Sequence, residues 1–191
     1  PLCMPTAFTR YEIENVLVVG HDVISNRPRV AAYRAPGAPM IAFGVETVID
    51  ELAEALKIDP IEIRLMNAAK EGTQTHFGPK LGPIGYIETL EQASAHDHMK
   101  TKLGPNQGRG SASGYWFNGA GESGATVYVN TDGSVTIATG SPDIGGSRAS
   151  MALMTAETLG VDYNDVRATV NDTTSVPYTH VTGGSRVTFA C

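Results

Sequence analysis

A strand, a glycine-rich turn and a helix follow one another in the C-terminal half, and this segment constrains the fold more than any other. Residues 134–139, Ser-Val-Thr-Ile-Ala-Thr, alternate apolar and polar side chains with the period of two that is typical of a half-buried strand. Residues 149–159 are rich in Ala, Met, Leu and Glu, which favour a helix, and Gly160 follows where a left-handed cap is expected. We therefore predict a strand over 134–139 and a helix over 149–159.

The turn between this strand and this helix is a candidate anion site. Gly145 and Gly146 allow backbone N–H groups to approach a ligand closely, and the first turn of a helix has N–H groups without partners. The helix dipole adds a partial positive charge, while Ser147 and Arg148 add a hydroxyl group and a cation. Such a site suits phosphate or pyrophosphate. The glycines alone favour an ordinary turn, which stays the alternative.

Composition and charge exclude several classes of partner. The chain has 191 residues, 41% of them hydrophobic, and a formal net charge of −6, which argues against nucleic acid and anionic membranes. No apolar run is long enough to predict a membrane span. The two cysteines, Cys3 and Cys191, favour reduced thiols and a cytoplasmic protein over a disulfide framework. Because the sequence starts with Pro1 and stops within an apolar run, we expect a fragment of a larger protein.

Three helices are predicted in the N-terminal half. The first runs from about residue 39 to 56 and places six apolar side chains on one face, with acidic residues mostly on the other. The apolar residues are Ile41, Val45, Val48, Ile49, Leu52 and Leu56, and the acidic ones are Glu46, Asp50, Glu51 and Glu54. Asp59 and Pro60 predict the start of a second helix that runs to about Ala69, and residues 86–93 predict a short third one.

The predicted strands give an α+β (mixed α/β) fold made of two sheet-plus-helix pieces. Residues 1–33 and 110–118 are typical of strands, and residues 126–129 and 134–137 predict a hairpin across an Asp-Gly turn. Residues 166–170 predict one more strand. The polar stretch 96–109 is the predicted linker, so that 1–95 and 110–191 form parts of two domains.

Three stretches then occur in a recognisable order: Ala-Tyr-Arg-Ala-Pro-Gly at 32–37, Asp-Ile-Gly-Gly-Ser at 143–147 and Thr-Gly-Gly-Ser at 182–185. Together with the hairpin, they resemble the large, molybdenum-binding subunit of the xanthine dehydrogenase/aldehyde oxidoreductase/carbon monoxide dehydrogenase family over essentially the whole chain. The resemblance implies molybdenum held by molybdopterin, in bacteria usually as the cytosine dinucleotide, in a cleft flanked by the two pieces. Protein side chains do not supply the main metal ligands in that family.

The resemblance also implies an activity and partners. The family hydroxylates a carbon centre of a small-molecule substrate with oxygen from water, or in one branch oxidises carbon monoxide. Electrons leave through iron–sulfur clusters and often FAD, on separate domains or subunits. The expected partners are therefore these and the rest of the chain's own large subunit, and a fragment alone is expected to be inactive.

The resemblance assigns Arg34 and Ala35 to the loop beside the molybdenum and the substrate. Arg34 would orient the cofactor or an oxyanion through its fork of donors, as a catalytic and cofactor-binding residue. Pairing with a nearby carboxylate is the alternative. Pro36 stands where many relatives have the Phe that packs on an aromatic substrate, which disfavours a purine-like substrate. Neither Ala35 nor Pro36 is the Cys of the carbon monoxide branch, which is therefore disfavoured.

The other cofactor-binding assignments fall on the two glycine turns. Gly145, Gly146 and Ser147 match the motif that is usually Gly-Gln-Gly, so Gly146 replaces its Gln, and Arg148 follows as a further cofactor-binding residue. Thr182, Gly183, Gly184 and Ser185 match small residues that lie against the pterin, with an ordinary tight turn as the alternative.

Other polar residues are assigned no role in the site. Glu122 lies in a Gly-x-Gly-Glu sequence like that of the family's general base, but it precedes the cofactor motifs, so we interpret it as a turn residue and expect the base outside this chain. His96 and His98 have a spacing that could bind a metal, and His180 lies close in sequence to the Thr182–Ser185 motif and could approach the cofactor, but all three are predicted to be solvated. A non-catalytic binding or assembly module and a metal-free nucleotide-phosphate binder are the alternative functions.

Overall fold

The computed structural model describes residues 3–28, 33–119, 121–170 and 172–191, and it has the α+β composition that the sequence predicts. Within these ranges, no helix combines the length and the apolar character needed to cross a bilayer. The α-helices and strands are, in chain order, α1 (Ala38–Leu56), α2 (Pro60–Met66), α3 (Tyr86–Ala95), α4 (Asp97–Lys100), β1 (Ala125–Val129), β2 (Val135–Thr139), α5 (Ser147–Leu159) and β3 (Val166–Val170), and two short 3-10 helices cover Met4–Thr6 and Tyr163–Asp165.

The chain packs into two compact units, Pro1–Trp116 (unit 1) and Phe117–Cys191 (unit 2). These units describe packing and do not decide where the domains of a larger protein end. The predicted linker at 96–109, with its flanking domains 1–95 and 110–191, therefore stays a prediction. Helix α4 lies within that linker.

Local sequence signals set the helices of unit 1. Helix α1 begins one residue before the predicted start, after Gly37 in the left-handed conformation (φ +74°). The Asp59 carboxylate accepts hydrogen bonds from the N–H groups of Ile61 and Glu62 at 2.8 and 3.2 Å, which confirms it as the N-cap of α2. The second helix ends at Met66 and not near Ala69, where the predicted helix ended.

The strand predictions for unit 1 and its border are wrong for the residues that the structure describes. Residues 3–28 and 110–119 contain no strand. Leu17 and Ile24 are 86% and 99% exposed, so their apolar pattern is not buried against a neighbouring strand. A strand needs a paired neighbour for its backbone donors and acceptors, and local alternation alone does not supply one.

A buried carboxylate lies at the centre of unit 1. Glu46 of α1 is only 4% exposed, which corrects its predicted place on the solvent face of the helix. Its Oε1 accepts from Arg10 Nε at 2.9 Å and from the Tyr11 hydroxyl at 2.6 Å. Its Oε2 accepts from Arg64 Nε and Ser113 N, both at 2.8 Å. Conversely, Val48, Leu52 and Leu56 of the predicted buried face are about half exposed or more.

Unit 2 is built on a three-stranded mixed sheet in the order β1-β2-β3. β1 and β2 form the predicted antiparallel hairpin, with Val127 opposite Ile137, and β3 pairs parallel to β2. The parallel crossover is made by α5, whose left-handed C-cap is the predicted Gly160 (φ +70°). Buried side chains of the sheet, of α5 and of the C-terminal segment form one core: Val135, Ile137, Met151, Ala152, Ala156, Val166 and Val187.

Candidate functional site

The turn between β2 and α5 forms an open corner of bare backbone. Gly145 and Gly146 both have left-handed conformations (φ +63° and +89°), which favour glycine at each position. A Cβ atom added at either glycine would meet no atom within 4 Å, so the space in front of them is free. Helix α5 begins at Ser147, two residues before the predicted start, and this brings the first turn of the helix to the glycines.

Three backbone N–H groups at this corner lack a partner in the described part of the chain, and two of them, those of Gly145 and Gly146, belong to exposed residues. Among the described residues, the N–H groups of Gly145, Gly146 and Ser147 have no hydrogen-bond acceptor. The Ser147 side chain is buried and its Oγ accepts from Ile144 N at 3.0 Å, which fixes the corner from inside. The corner therefore presents the unpaired N–H groups of Gly145 and Gly146 to solvent at the positive end of a 13-residue helix, with that of Ser147 behind them.

An acidic side chain lies beside these donors. Asp143 Oδ1 accepts from Arg148 N at 3.3 Å and from Ser147 Oγ at 3.2 Å, and its Oδ2 forms an ion pair with Arg148 Nε at 3.2 Å. The Arg148 N–H group is the main cause that holds the pKa of Asp143 below its ordinary value. Arg148 is thus partly neutralised and does not face the corner as a free cation, which the sequence alone did not indicate.

The second glycine turn, Thr182–Ser185, is held close to another loop of unit 2. Gly184 and Ser185 have positive φ angles of 74° and 57°, and Gly184 O accepts a hydrogen bond from Gly119 N. A Cβ atom on Gly119 would lie 2.8 Å from that oxygen, so glycine is required for this approach. Thr182, Gly183, Gly184 and Ser185 are exposed.

Both glycine turns are connected through residues 176–180. An added Cβ on Gly140, at the end of the strand that enters the first turn, would lie 3.1 Å from Pro177 O. Gly124 N donates to Tyr178 O at 2.9 Å, and His180 N donates to Glu122 O at 3.0 Å. The segment that enters the Thr182–Ser185 turn therefore packs against both the strand before Gly145 and the loop around Glu122.

Arg186 is a residue that the sequence did not single out. It is 1% exposed, and its guanidinium donates to His180 O at 3.0 Å, Gly121 O at 3.0 Å and Glu122 O at 2.9 Å. A charged residue directly after a glycine motif is a weak sequence signal, because most arginines are exposed.

The arginine loop of unit 1 combines a tight backbone with an exposed cation. Ala35 has a positive φ of 49°, its carbonyl accepts from Ala38 N at 3.0 Å, and a Cβ on Gly37 would lie 2.7 Å from Cys3 Cβ. Arg34 is exposed and has no hydrogen bond or ion pair with any described residue, so no carboxylate pairs with it there. Ala32, the first residue of this motif, lies outside the described residues.

The remaining polar residues keep the places expected of turn and surface residues. The Glu122 side chain is exposed, and only its backbone carbonyl takes part in the loop contacts. His96, His98 and His180 are also exposed.

Comparison with known proteins gives the family. Residues 2–68 and residues 85–191 each match a family described as molybdopterin cofactor-binding domain. The xanthine dehydrogenase molybdenum-binding subunit of Escherichia coli O157:H7 is 34% identical over 170 residues, which cover 81% of this chain and 23% of that protein. The aldehyde oxidoreductase of Megalodesulfovibrio gigas is 29% identical over 191 residues, covering 92% of this chain and 21% of that protein.

A solved structure agrees with these matches. The crystal structure of the aldehyde oxidoreductase from Desulfovibrio desulfuricans ATCC 27774 superposes with a TM-score of 0.57 at 28% identity, over 81% of this chain and 19% of that one. The chain thus spans about a quarter or less of the length of the relatives it matches. On the two domain matches and these relatives, the chain belongs to the molybdopterin cofactor-binding domains of the xanthine dehydrogenase/aldehyde oxidoreductase family.

Proposed function

We propose that this chain supplies part of the cofactor site of a molybdenum hydroxylase, and that the cofactor is the cytosine dinucleotide of molybdopterin. The observation that carries the proposal is the open corner at Gly145–Ser147, where three backbone N–H groups lack acceptors among the described residues. A pyrophosphate supplies several anionic oxygens, which such donors bind with charge-assisted hydrogen bonds.

The residues at the corner fit the phosphate end of such a cofactor. The left-handed glycines leave free space where any other side chain would stand, so phosphate oxygens can reach the N–H groups. The Asp143 carboxylate accepts from Arg148 N and leaves the N–H groups of Gly145 and Gly146 without acceptors among the described residues.

The Thr182–Ser185 turn is proposed to bind the pterin end. Its backbone is exposed, and Gly183 has open space where a side chain would stand. Ser185 supplies a hydroxyl group and Thr182 another, so the turn offers both donors and acceptors to the polar edge of a pterin.

Arg34 is proposed to orient the cofactor or an oxyanion of the substrate. Its guanidinium is exposed and unpaired among the described residues, while the backbone of its loop is fixed by the contacts of Ala35 and Gly37. A planar fork of donors on a rigid loop suits recognition of an oxyanion.

The proposed reaction is the oxidation of an aldehyde, an N-heterocycle or a related carbon centre, with water as the source of oxygen. The bound molybdenum cofactor would supply the two-electron redox chemistry, and this chain's residues would hold its phosphates, orient it and position an oxyanion. The rest of the large subunit and iron–sulfur and FAD modules are the proposed partners. A cytoplasmic location is part of the same proposal.

Asp143 favours a second candidate, a non-catalytic module that kept the fold. A carboxylate beside the anion corner repels phosphates, and Gly146 lacks the side chain of the family's Gln. Such a module would bind the cofactor weakly or release it.

Analysis of bound metal and pterin separates the two candidates. The protein is purified from a host that synthesises molybdopterin dinucleotides, and molybdenum, oxidised pterin fluorescence and acid-released cytidine monophosphate are measured per chain. We expect all three in equal amounts. Molybdenum and pterin without cytidine monophosphate would reject the dinucleotide, and the absence of molybdenum and pterin would reject the hydroxylase.

A further inference from the structure

Arg186 connects parts of unit 2 that are far apart in the sequence. It directly follows the Thr182–Ser185 turn, and its guanidinium reaches Gly121 O, which is 65 residues away in sequence, at 3.0 Å. The same Nη2 atom donates to Glu122 O at 2.9 Å and to Ser123 Oγ, while Nη1 donates to His180 O at 3.0 Å. One buried side chain therefore joins His180, just before the second glycine turn, to residues 121–123 of the loop that packs against it.

The turn that Arg186 follows needs such support. Gly184 and Ser185 have positive φ angles, and for Ser185 this conformation is strained. Gly119 N donates a hydrogen bond to Gly184 O, which joins the turn to a segment 65 residues earlier in the sequence. The hydrogen bonds from Arg186 fix His180 and residues 121–123 next to the Thr182–Ser185 turn.

The positive charge of Arg186 is also uncompensated among the described residues. Arg186 forms no ion pair with a described carboxylate, and its Nε has no acceptor there. A buried cation is costly unless it is paired, and carbonyl oxygens neutralise it only in part. The local field at the Thr182–Ser185 turn therefore favours a ligand with negative charge.

We propose that Arg186 is a positioning residue of the cofactor site, which fixes the Thr182–Ser185 turn for the pterin end of an anionic cofactor. This inference rests on the proposed function. It predicts that loss of the guanidinium releases the pterin end, while the phosphate corner at Gly145–Ser147, on another turn, keeps its affinity.

Two measurements on the same variants test the role. Wild-type protein, R186K, R186M and the control R109M are produced in the cofactor-synthesising host, and retained pterin is measured per chain. The dissociation constant for cytidine diphosphate reports separately on the phosphate corner of cofactor-free protein. Arg109 is a matched control because its guanidinium also donates to backbone carbonyls, Met99 O at 2.8 Å and Thr101 O at 2.6 Å, but in unit 1.

We expect R186M to retain about a tenth or less of the wild-type pterin, because several charge-assisted hydrogen bonds are lost. R186K keeps the charge without the planar fork of donors, so we expect it to retain an amount of pterin between those of R186M and wild type. R109M is expected to retain as much pterin as wild type. All four proteins are expected to bind cytidine diphosphate with the same affinity. Wild-type levels of pterin in both R186K and R186M would overturn the role of Arg186 and leave the proposed function standing. An equal loss of pterin and of cytidine diphosphate affinity would also overturn it, since that is general loosening.

The result for wild type separates this inference from the proposed function. Wild-type protein that holds neither pterin nor cytidine diphosphate would overturn both. If R186M does not fold by circular dichroism, R186K decides: reduced pterin with wild-type circular dichroism and cytidine diphosphate affinity supports the role, and full retention overturns it.

Discussion

The carboxylate of Asp143 and the backbone N–H of Arg148 are 3.3 Å apart, so an acidic group of the chain itself bonds to the first turn of α5. A second contact, from Arg148 Nε to Asp143 Oδ2 at 3.2 Å, keeps the carboxylate there. An incoming phosphate would therefore meet both the free donors of Gly145–Ser147 and this negative charge.

Removing the charge of Asp143 is expected to strengthen anion binding. D143N keeps the shape and one acceptor oxygen but removes the repulsion, so we predict a dissociation constant for cytidine diphosphate that is lower by about threefold at low salt, an effect of the size of exposed charge interactions. Isothermal titration calorimetry measures it. D132N, in the β1–β2 turn, is the control, because Asp132 also accepts from a backbone N–H (Ser134 N, 3.0 Å). Weaker binding in D143N would mean that the ion pair builds the corner.

A substitution at Gly146 should separate binding from stability. Gly146 and Gly133 both have positive φ angles, 89° and 87°, and both face open space. We expect G146A and G133A to lower the free energy of unfolding by a similar amount, about 1 kcal/mol, because alanine is strained in this conformation. Only G146A should weaken cytidine diphosphate binding. Equal binding by both variants would argue against contact between the ligand and this turn.

Loss of the charge on Glu46 is expected to destabilise unit 1 severely. The carboxylate accepts four hydrogen bonds, from Arg10, Tyr11, Arg64 and Ser113. In E46Q the NH₂ group of the Gln amide would face groups that are themselves hydrogen-bond donors, so some of these hydrogen bonds are lost. E46Q also leaves the buried Arg10 without a counter-charge among the described residues and leaves Arg64 with only the half-exposed Asp50, 2.8 Å from its Nη2, a loss of about 3 kcal/mol. Urea unfolding followed by circular dichroism measures it, with E54Q on the exposed side of α1 as the control. A cost as small as that of E54Q would contradict the buried network.

The same carboxylate predicts how stability depends on pH. Burial raises the pKa of Glu46, but hydrogen bonds from Tyr11, Ser113 and Arg64 and the charge of Arg10 outweigh it, so the pKa lies below its ordinary value of 4.5. The unfolded chain therefore binds a proton first as the pH falls. The stabilisation is fully present above that ordinary value and is lost as the pH falls through the lower, folded value. Urea unfolding at a series of pH values should show a steeper acid loss in wild type than in E46Q, and equal slopes would contradict this prediction.

Local signals predicted the parts of the fold that depend on neighbours in sequence. Pro39 and the apolar period predicted the bounds of α1 to within a residue, and the Asp-Gly turn between alternating strands predicted the β1–β2 hairpin. These features are set by backbone conformation and side-chain spacing within a few residues, so one sequence is enough to find them.

Contacts between distant residues could not be predicted in the same way. Glu46 is buried because Arg10 and Arg64 reach it from other segments, and no helical period indicates that a carboxylate will face inward. Arg186 is buried because three of its four acceptors, on Gly121, Glu122 and Ser123, lie 63 to 65 residues away in sequence. The site assignments came from resemblance, and the structure adds the corner's geometry and Asp143 beside it, which no motif contains.

The central claim is that the backbone amides of the glycine corner bind phosphate groups, and an amide NMR titration tests it most directly. The ¹⁵N-labelled chain is titrated with cytidine diphosphate, and the amide signals of Gly145, Gly146 and Ser147 are compared with that of Gly133 in the hairpin turn. We predict saturable shifts of the three corner amides and none at Gly133. Saturable shifts elsewhere, with the three corner amides unchanged, would contradict the account.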